Sequence, residues 1–379
     1  MEAPDRDRAA PAGLRTIPGG VPRASLAWLR TFALGLLLGA LFLALALWGV
    51  PLAALGEALA QVRTVWLLPV ALLVLVQYGL RAVRQRIMLG ASAPGLGVRD
   101  HFAIVTIGFF CVNVFPARLG EAVRPLLLTE RAGVPLGSSF ALVLVERVLD
   151  LIAILVCLLG ALAWVDLPER AIEIAGRRMV AGDLARSAAL LVLGPLLASL
   201  LGLALLGPAA LRLGERASGA LATRVRAPIV QRVADGLLRF AQAFVEGLQT
   251  LRSPGRLLAV AALTAALFLA MGATMSALAH AFGLEDRIGF VPGLGVLAVT
   301  MLGIALPAPP GFAGVFEASV RAGLALFGVR GEAQAGSALA YALVVHWWPF
   351  LILGGLAAWF LWRDGVALGR LFRFARGPS

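Results

Sequence analysis

Lysine is missing from this chain, whose 33 basic residues are all arginine. We attach no function to that absence. Other scarcities exclude more. Cysteine occurs twice, as Cys111 and Cys157, and both lie in apolar runs, which points away from a disulfide framework. Histidine occurs three times, as His101, His280 and His346, each isolated from the others and from the cysteines. That spacing offers no metal centre, and no cofactor is expected. Charge is scarce too: 14% of the 379 residues are ionisable Asp, Glu or Arg, against roughly 25% in soluble domains.

What fills the chain instead is hydrocarbon. Hydrophobic residues make up 60% of it and the mean hydropathy is +0.91, the profile of a polytopic membrane protein. In a soluble chain a net charge of +12 would suggest nucleic acid. Here the arginines gather in alternate loops and tails, as the positive-inside rule requires, and no nucleic-acid partner is expected.

Residues 1–27 are polar and read as a disordered cytoplasmic lead, followed by a transmembrane domain over 28–362. A first span is expected at 31–50; a signal peptide is the alternative, disfavoured by the length of the run and the spans that follow. The second span, 65–80, is expected to end at the cytoplasmic arginines Arg81, Arg84 and Arg86. A third covers 136–165 and contains Glu146, Arg147 and Asp150, the two acids four residues apart on one helical face. The charge-balanced loop 166–187 suits the outer side, and a fourth span is expected at 188–206. Loop 208–254 is arginine-rich, and its Val230, Val233, Leu237, Phe240, Phe244, Leu248 and Leu251 recur at helical spacing. An amphipathic helix is expected there, on the membrane surface or on the protein's own cytoplasmic ends. A fifth span at 257–282, a last one at 337–362 and a basic cytoplasmic tail at 363–379 complete the chain.

Two stretches break this pattern. In 113–124, Asn113, Pro116, Arg118, Gly120, Glu121 and Arg124 interrupt apolar sequence; in 307–321, Pro309, Pro310, Gly311, Gly314, Glu317 and Arg321 do the same. Each is flanked by helical arms too short to span, so each reads as a re-entrant hairpin; a kinked pair of tilted spans is the alternative. Counting sides from the arginine-rich loops makes the two hairpins enter from opposite faces. The halves 28–165 and 188–362 then form an inverted-topology repeat, giving about six spans plus two broken hairpins in an all-α fold.

Ionised groups at membrane depth are costly, roughly 2.5 to 3.5 kcal/mol each on insertion scales, and usually serve a protected site. Pro116 and Pro310 are expected to open helices whose free N–H groups face an anion. Arg118, Arg124, Arg147 and Arg321 would join them on a phosphate, with Glu121, Glu146, Asp150 and Glu317 holding the arginines or carrying a proton. Arg81, Arg84 and His346 are secondary candidates. The structural alternative is that these charges only staple the bundle.

At these residues the chain resembles the transmembrane region of lysylphosphatidylglycerol synthases, a flippase-like integral membrane family. The N-x-x-P-x-R-x-G-E-x-x-R of 113–124, the E-R-x-x-D of 146–150, the arginines of 81–86 and the P-x-P-P-G-x-x-G-x-x-E of 307–317 carry the resemblance. It implies a helical domain that moves an anionic or zwitterionic phospholipid, or a polyprenyl-phosphate-linked lipid, across a bacterial-type cytoplasmic membrane. By that carry-over Arg118, Glu121, Arg124, Glu146, Arg147, Asp150 and Glu317 match family positions. Both termini would be cytoplasmic, and enzymes of envelope lipid synthesis are the expected partners. With no synthase or glycosyltransferase domain in sight, no enzymatic activity is expected. The rival readings are a membrane-embedded head-group transferase and a non-transporting subunit of an envelope-lipid complex.

Overall fold

The structure, a computed structural model, describes residues 50–93, 95–115, 120–164, 171–174, 177–180, 186–196, 253–305 and 309–364, with shorter pieces within 37–47, 198–216 and 231–242. Pro116 and Arg118 lie outside the described residues, as do most of the first span, the latter part of the fourth and all of the tail past 364.

A short helix α1 (Leu52–Ala60) precedes a 3-10 turn and the long α2 (Leu67–Leu89). The helix does not stop at its arginines. Arg81 and Arg84 lie inside it, Arg84 being 1% exposed, so the expected end at residue 80 is corrected to Leu89, one turn past the polar face. That face is one side of an amphipathic cylinder turned outside in: Leu68, Leu72 and Val76, four residues apart, are 67%, 55% and 50% exposed. So much exposed apolar surface fits hydrocarbon solvent, not water.

Helices α3 (Val98–Val114) and α4 (Val123–Ala132) form the first broken pair. Phe115 turns extended at φ −85° and ψ 137°, the conformation a following proline imposes, and ends α3. The returning chain then packs so closely that a Cβ on Gly120 would lie 2.1 Å from the carbonyl carbon of Cys111. Helix α5 (Leu136–Trp164) follows, close to its expected bounds. A two-stranded antiparallel hairpin, β1 (Ala171–Ile174) with β2 (Arg177–Val180), adds a small β element to the loop after it, in a molecule otherwise helical among the described residues. An apolar helix over Arg186–Leu196 begins the next segment. Residues 233–242 of the long loop are helical, with Val233 and Leu237 exposed; Val230, Phe244, Leu248 and Leu251 lie outside the described residues.

Helix α6 (Pro254–Ala281), the second broken pair α7 (Phe290–Gly303) and α8 (Val315–Leu326), and α9 (Glu332–Arg363) complete the fold. Pro310 opens only a three-residue 3-10 turn; α8 itself starts after Gly314, whose φ of 80° a residue with a side chain would strain to adopt. Among the described residues, three helices are both long and apolar enough to cross a membrane: Thr64–Leu89, Pro254–Ala281 and Ala333–Arg363.

Packing pairs the two halves. Helix α2 lies along α6, tied by Gln77 Nε2 donating to Thr274 Oγ1 at 2.8 Å. Helix α5 packs on α7 and α9 packs on α3, so each half's last helix covers the other half's broken arm. Both ends of the α3–α4 pair lie at one end of the bundle: the Arg99 guanidinium stands 5.9 Å from the Trp359 ring, and Arg131 pairs with Asp364 at 2.8 Å. Both ends of α7–α8 lie at the other, where Arg287 donates to the Gly328 carbonyl at 3.0 Å and Arg63 pairs with Glu285 at 3.0 Å. In this last contact, hydrogen bonding from its own backbone N–H and then Arg63 hold the exposed Glu285 carboxyl below the usual carboxylate range.

Candidate functional site

The site grows from one face of α2. Gln77, Arg81, Arg84 and Gln85 recur at helical spacing along it; Gln77 meets α6, and the other three reach toward α5 and α3. From α5, Asp150 meets this face: Arg84 Nη1 donates to its Oδ1 at 2.7 Å and to Thr264 Oγ1 at 3.1 Å. Arg81 and Arg147 lie at 3.7 and 3.8 Å from the other Asp150 oxygen. One turn away, Arg124 of α4 donates to Glu146 and, through Nε, to Gln85 Oε1 at 2.7 Å; Gln85 in turn meets His101 Nδ1 at 3.0 Å. The Phe109 ring is the hub of this cluster, with the guanidinium carbons of Arg81, Arg147 and Arg124 at 4.5, 5.2 and 5.9 Å from its centroid, within cation–π range.

Four guanidiniums here gather about two paired carboxylates, Glu146 and Asp150, in a largely buried place, with Glu121 beside Arg124 and Arg147. Two of those arginines, Arg81 and Arg147, line a cavity of about 230 Å³ that also touches Asn113, Glu121, Phe312 and His346. Buried Arg81 Nη1 and Arg147 Nε have no hydrogen-bond acceptor among the described residues. Phe312, at φ 55° in the left-handed region where few non-glycine residues sit, forms part of the wall at the second break. The 3-10 turn that contains Phe312 packs against α3, so the two breaks adjoin across this cavity.

The expected site residues divide accordingly. Asn113, Glu121 and Arg147 reach the cavity wall, and Asn113 Nδ2 is spent on the Phe109 carbonyl at 2.8 Å. Arg124, Glu146 and Asp150 are buried behind it in ion pairs. Arg321 is not among the residues that line it, and Arg118 lies outside the described residues. Glu317 holds a histidine, not an arginine: its Oε1 meets His346 Nδ1 at 2.8 Å, and its Oε2 accepts the Gly314 N–H at 2.6 Å. At the second break Pro310 opens the 3-10 turn and not α8, and at the start of α8 the Glu317 carboxylate takes up the Gly314 N–H. Arg81, Arg84 and His346, secondary in the sequence, are integral to this region. Gln77, Tyr78, Phe109 and Thr274 were missed; a lone amide or ring within an apolar run leaves no local mark.

Residues 32–354 match the family described as the lysylphosphatidylglycerol synthase TM region. The chain belongs to that family. The arginine cluster and both breaks fall within the matched residues. A curated relative, glycosyltransferase AglD of Haloferax volcanii, is 32% identical over 185 residues, which cover 45% of this chain and 29% of that protein. This chain therefore spans under a third of AglD.

Proposed function

We propose that this protein is a flippase-like transporter that moves an anionic or zwitterionic phospholipid, or a polyprenyl-phosphate-linked lipid, between the leaflets of the cytoplasmic membrane, without chemically changing it. The observation that carries the reading is the pair of cavity-lining guanidiniums, Arg81 and Arg147, each with a buried N–H nitrogen that makes no hydrogen bond among the described residues, Arg81 Nη1 standing 3.7 Å from Asp150. An unmet buried donor costs about 1–3 kcal/mol, and phosphate oxygens suit a guanidinium fork.

A second cavity, about 520 Å³, runs between α5 and α6 and is walled almost wholly by carbon, with Phe268 and Leu294 among its residues. Thr264 lines it and also bonds Arg84 of the charged cluster, so an apolar slot and a cationic pocket flank the same ion pairs. That juxtaposition suits an amphiphile. The mirrored packing of the halves, and broken pairs whose ends lie at opposite ends of the bundle, support an inverted repeat with two re-entrant hairpins, the arrangement by which transporters build a mid-depth site.

Purified protein in liposomes should exchange a fluorescent phosphatidylglycerol between leaflets. Arg81→Gln and Arg147→Gln should each slow exchange roughly tenfold or more, the equivalent of one lost charge-assisted hydrogen bond. Unchanged exchange in both folded variants would remove the cavity from the mechanism. A transferase reading draws on the name of AglD alone; it predicts lipid turnover by the purified protein, which transport does not.

A further inference from the structure

The pair Glu317–His346 has no role in the arginine cluster, yet it lies on the cavity wall. Residues on two helices build it. His346 of α9 is 6% exposed and its Nδ1 meets Glu317 Oε1 at 2.8 Å; Glu317 of α8 is fully buried and anchored a second time by the Gly314 N–H. The imidazole is clamped flat against Phe316, with ring centroids 4.2 Å apart and planes at 11°. Its orientation is thus fixed by two contacts, while Nε2, buried, has no hydrogen-bond partner among the described residues. A histidine anchored through one nitrogen and left unmatched at the other is a ligand group awaiting a partner.

From the proposed transport function, on which this step rests, we infer that His346 takes up one proton as an anionic head group enters the cavity and releases it as the head group leaves. With the imidazole neutral, ionised Glu317 leaves the pair with a negative charge beside a site that must receive an anion. A proton from solvent on Nε2 cancels that charge and turns Nε2 into a donor toward the head group. His346 is the one imidazole on the wall among the described residues. Helix α2 presents Tyr78 and Arg81, the turn before α4 presents Glu121 and α5 presents Arg147, while Glu317 of α8 is fully buried and meets His346. Among the described residues, α3, α6 and α7 add no ionisable side chain to the wall. Arginines keep their protons throughout the physiological range, so the Arg124–Glu146 pair of the first half stays charged where the Glu317–His346 pair switches.

The test is the pH dependence of leaflet exchange of fluorescent phosphatidylglycerol in proteoliposomes with equal pH on both sides. Wild type should lose about tenfold of its rate as the pH rises from roughly 5.5 to 8, across the range where a histidine titrates. His346→Gln should be slow and flat across that range. Glu317→Gln, which keeps an acceptor for the Gly314 N–H and so guards against a misfolded His346→Gln, should move the midpoint about one unit or more toward acid, since the nearby negative charge is gone. A flat wild-type profile with exchange intact would overturn the inference and leave the transport reading standing. A profile that persists in His346→Gln and vanishes in Glu121→Gln would assign the proton elsewhere and overturn it as well. If wild type exchanges no lipid at any pH, the transport reading fails and this inference falls with it.

Discussion

Arg84 and Arg147 show how differently two charges of one cluster are used. Arg84 is 1% exposed and bonded to both Asp150 and Thr264, whereas the Arg147 side chain is 38% exposed and reaches Asp150 only at 3.8 Å. Removing one partner of a buried ion pair strands the other's charge, at about 3–5 kcal/mol. Arg84→Ala and Arg124→Ala should therefore destabilise the protein by that order, read as a lower Tm in detergent, while Arg147→Gln should leave Tm almost unchanged and act on transport. Equal Tm values for Arg84→Ala and wild type would mean that the buried pair does not hold α2 to α5. The separation matters for interpretation, since a loss of exchange in Arg84→Ala would report unfolding as readily as function.

The broken pair α3–α4 is the element on which the cavity depends, and its geometry turns on Gly120. With a Cβ there only 2.1 Å from backbone of Cys111, Gly120→Ala must push the turn off α3. In a Cys157→Ala background, since Cys157 is half-buried, Cys111, 1% exposed in the intact pair, should then react with a membrane-permeant maleimide that leaves the protein with Gly120 unlabelled; continued protection would show that the turn tolerates the methyl group. Much of this architecture was legible in the sequence. The break expected at 307–321 separates α7, which ends at Gly303, from α8, which begins at Val315, because proline and glycine punctuate a chain wherever they occur. The end of α2 was misread for a physical reason: Arg81 and Arg84 look like a cytoplasmic terminus until Asp150, 66 residues from Arg84, supplies a buried partner. The Glu317–His346 contact was hidden in the same way, since no local pattern announces a pairing 29 residues apart.

At the scale of the whole molecule, the halves meet along α2 and α6, and each covers the other's broken arm with its own last helix. The first half brings arginines, and the second brings Phe312 and the Glu317–His346 pair, to one cavity of about 230 Å³. The account stands on that cavity being a head-group site. Native mass spectrometry of protein released from nanodiscs containing phosphatidylglycerol and diacylglycerol in equal amounts tests it most directly. The account predicts that wild type retains phosphatidylglycerol over the phosphate-free lipid and that the Arg81→Gln, Arg147→Gln double variant loses the preference. Equal retention of both lipids by wild type, or an undiminished preference in the folded double variant, would contradict it.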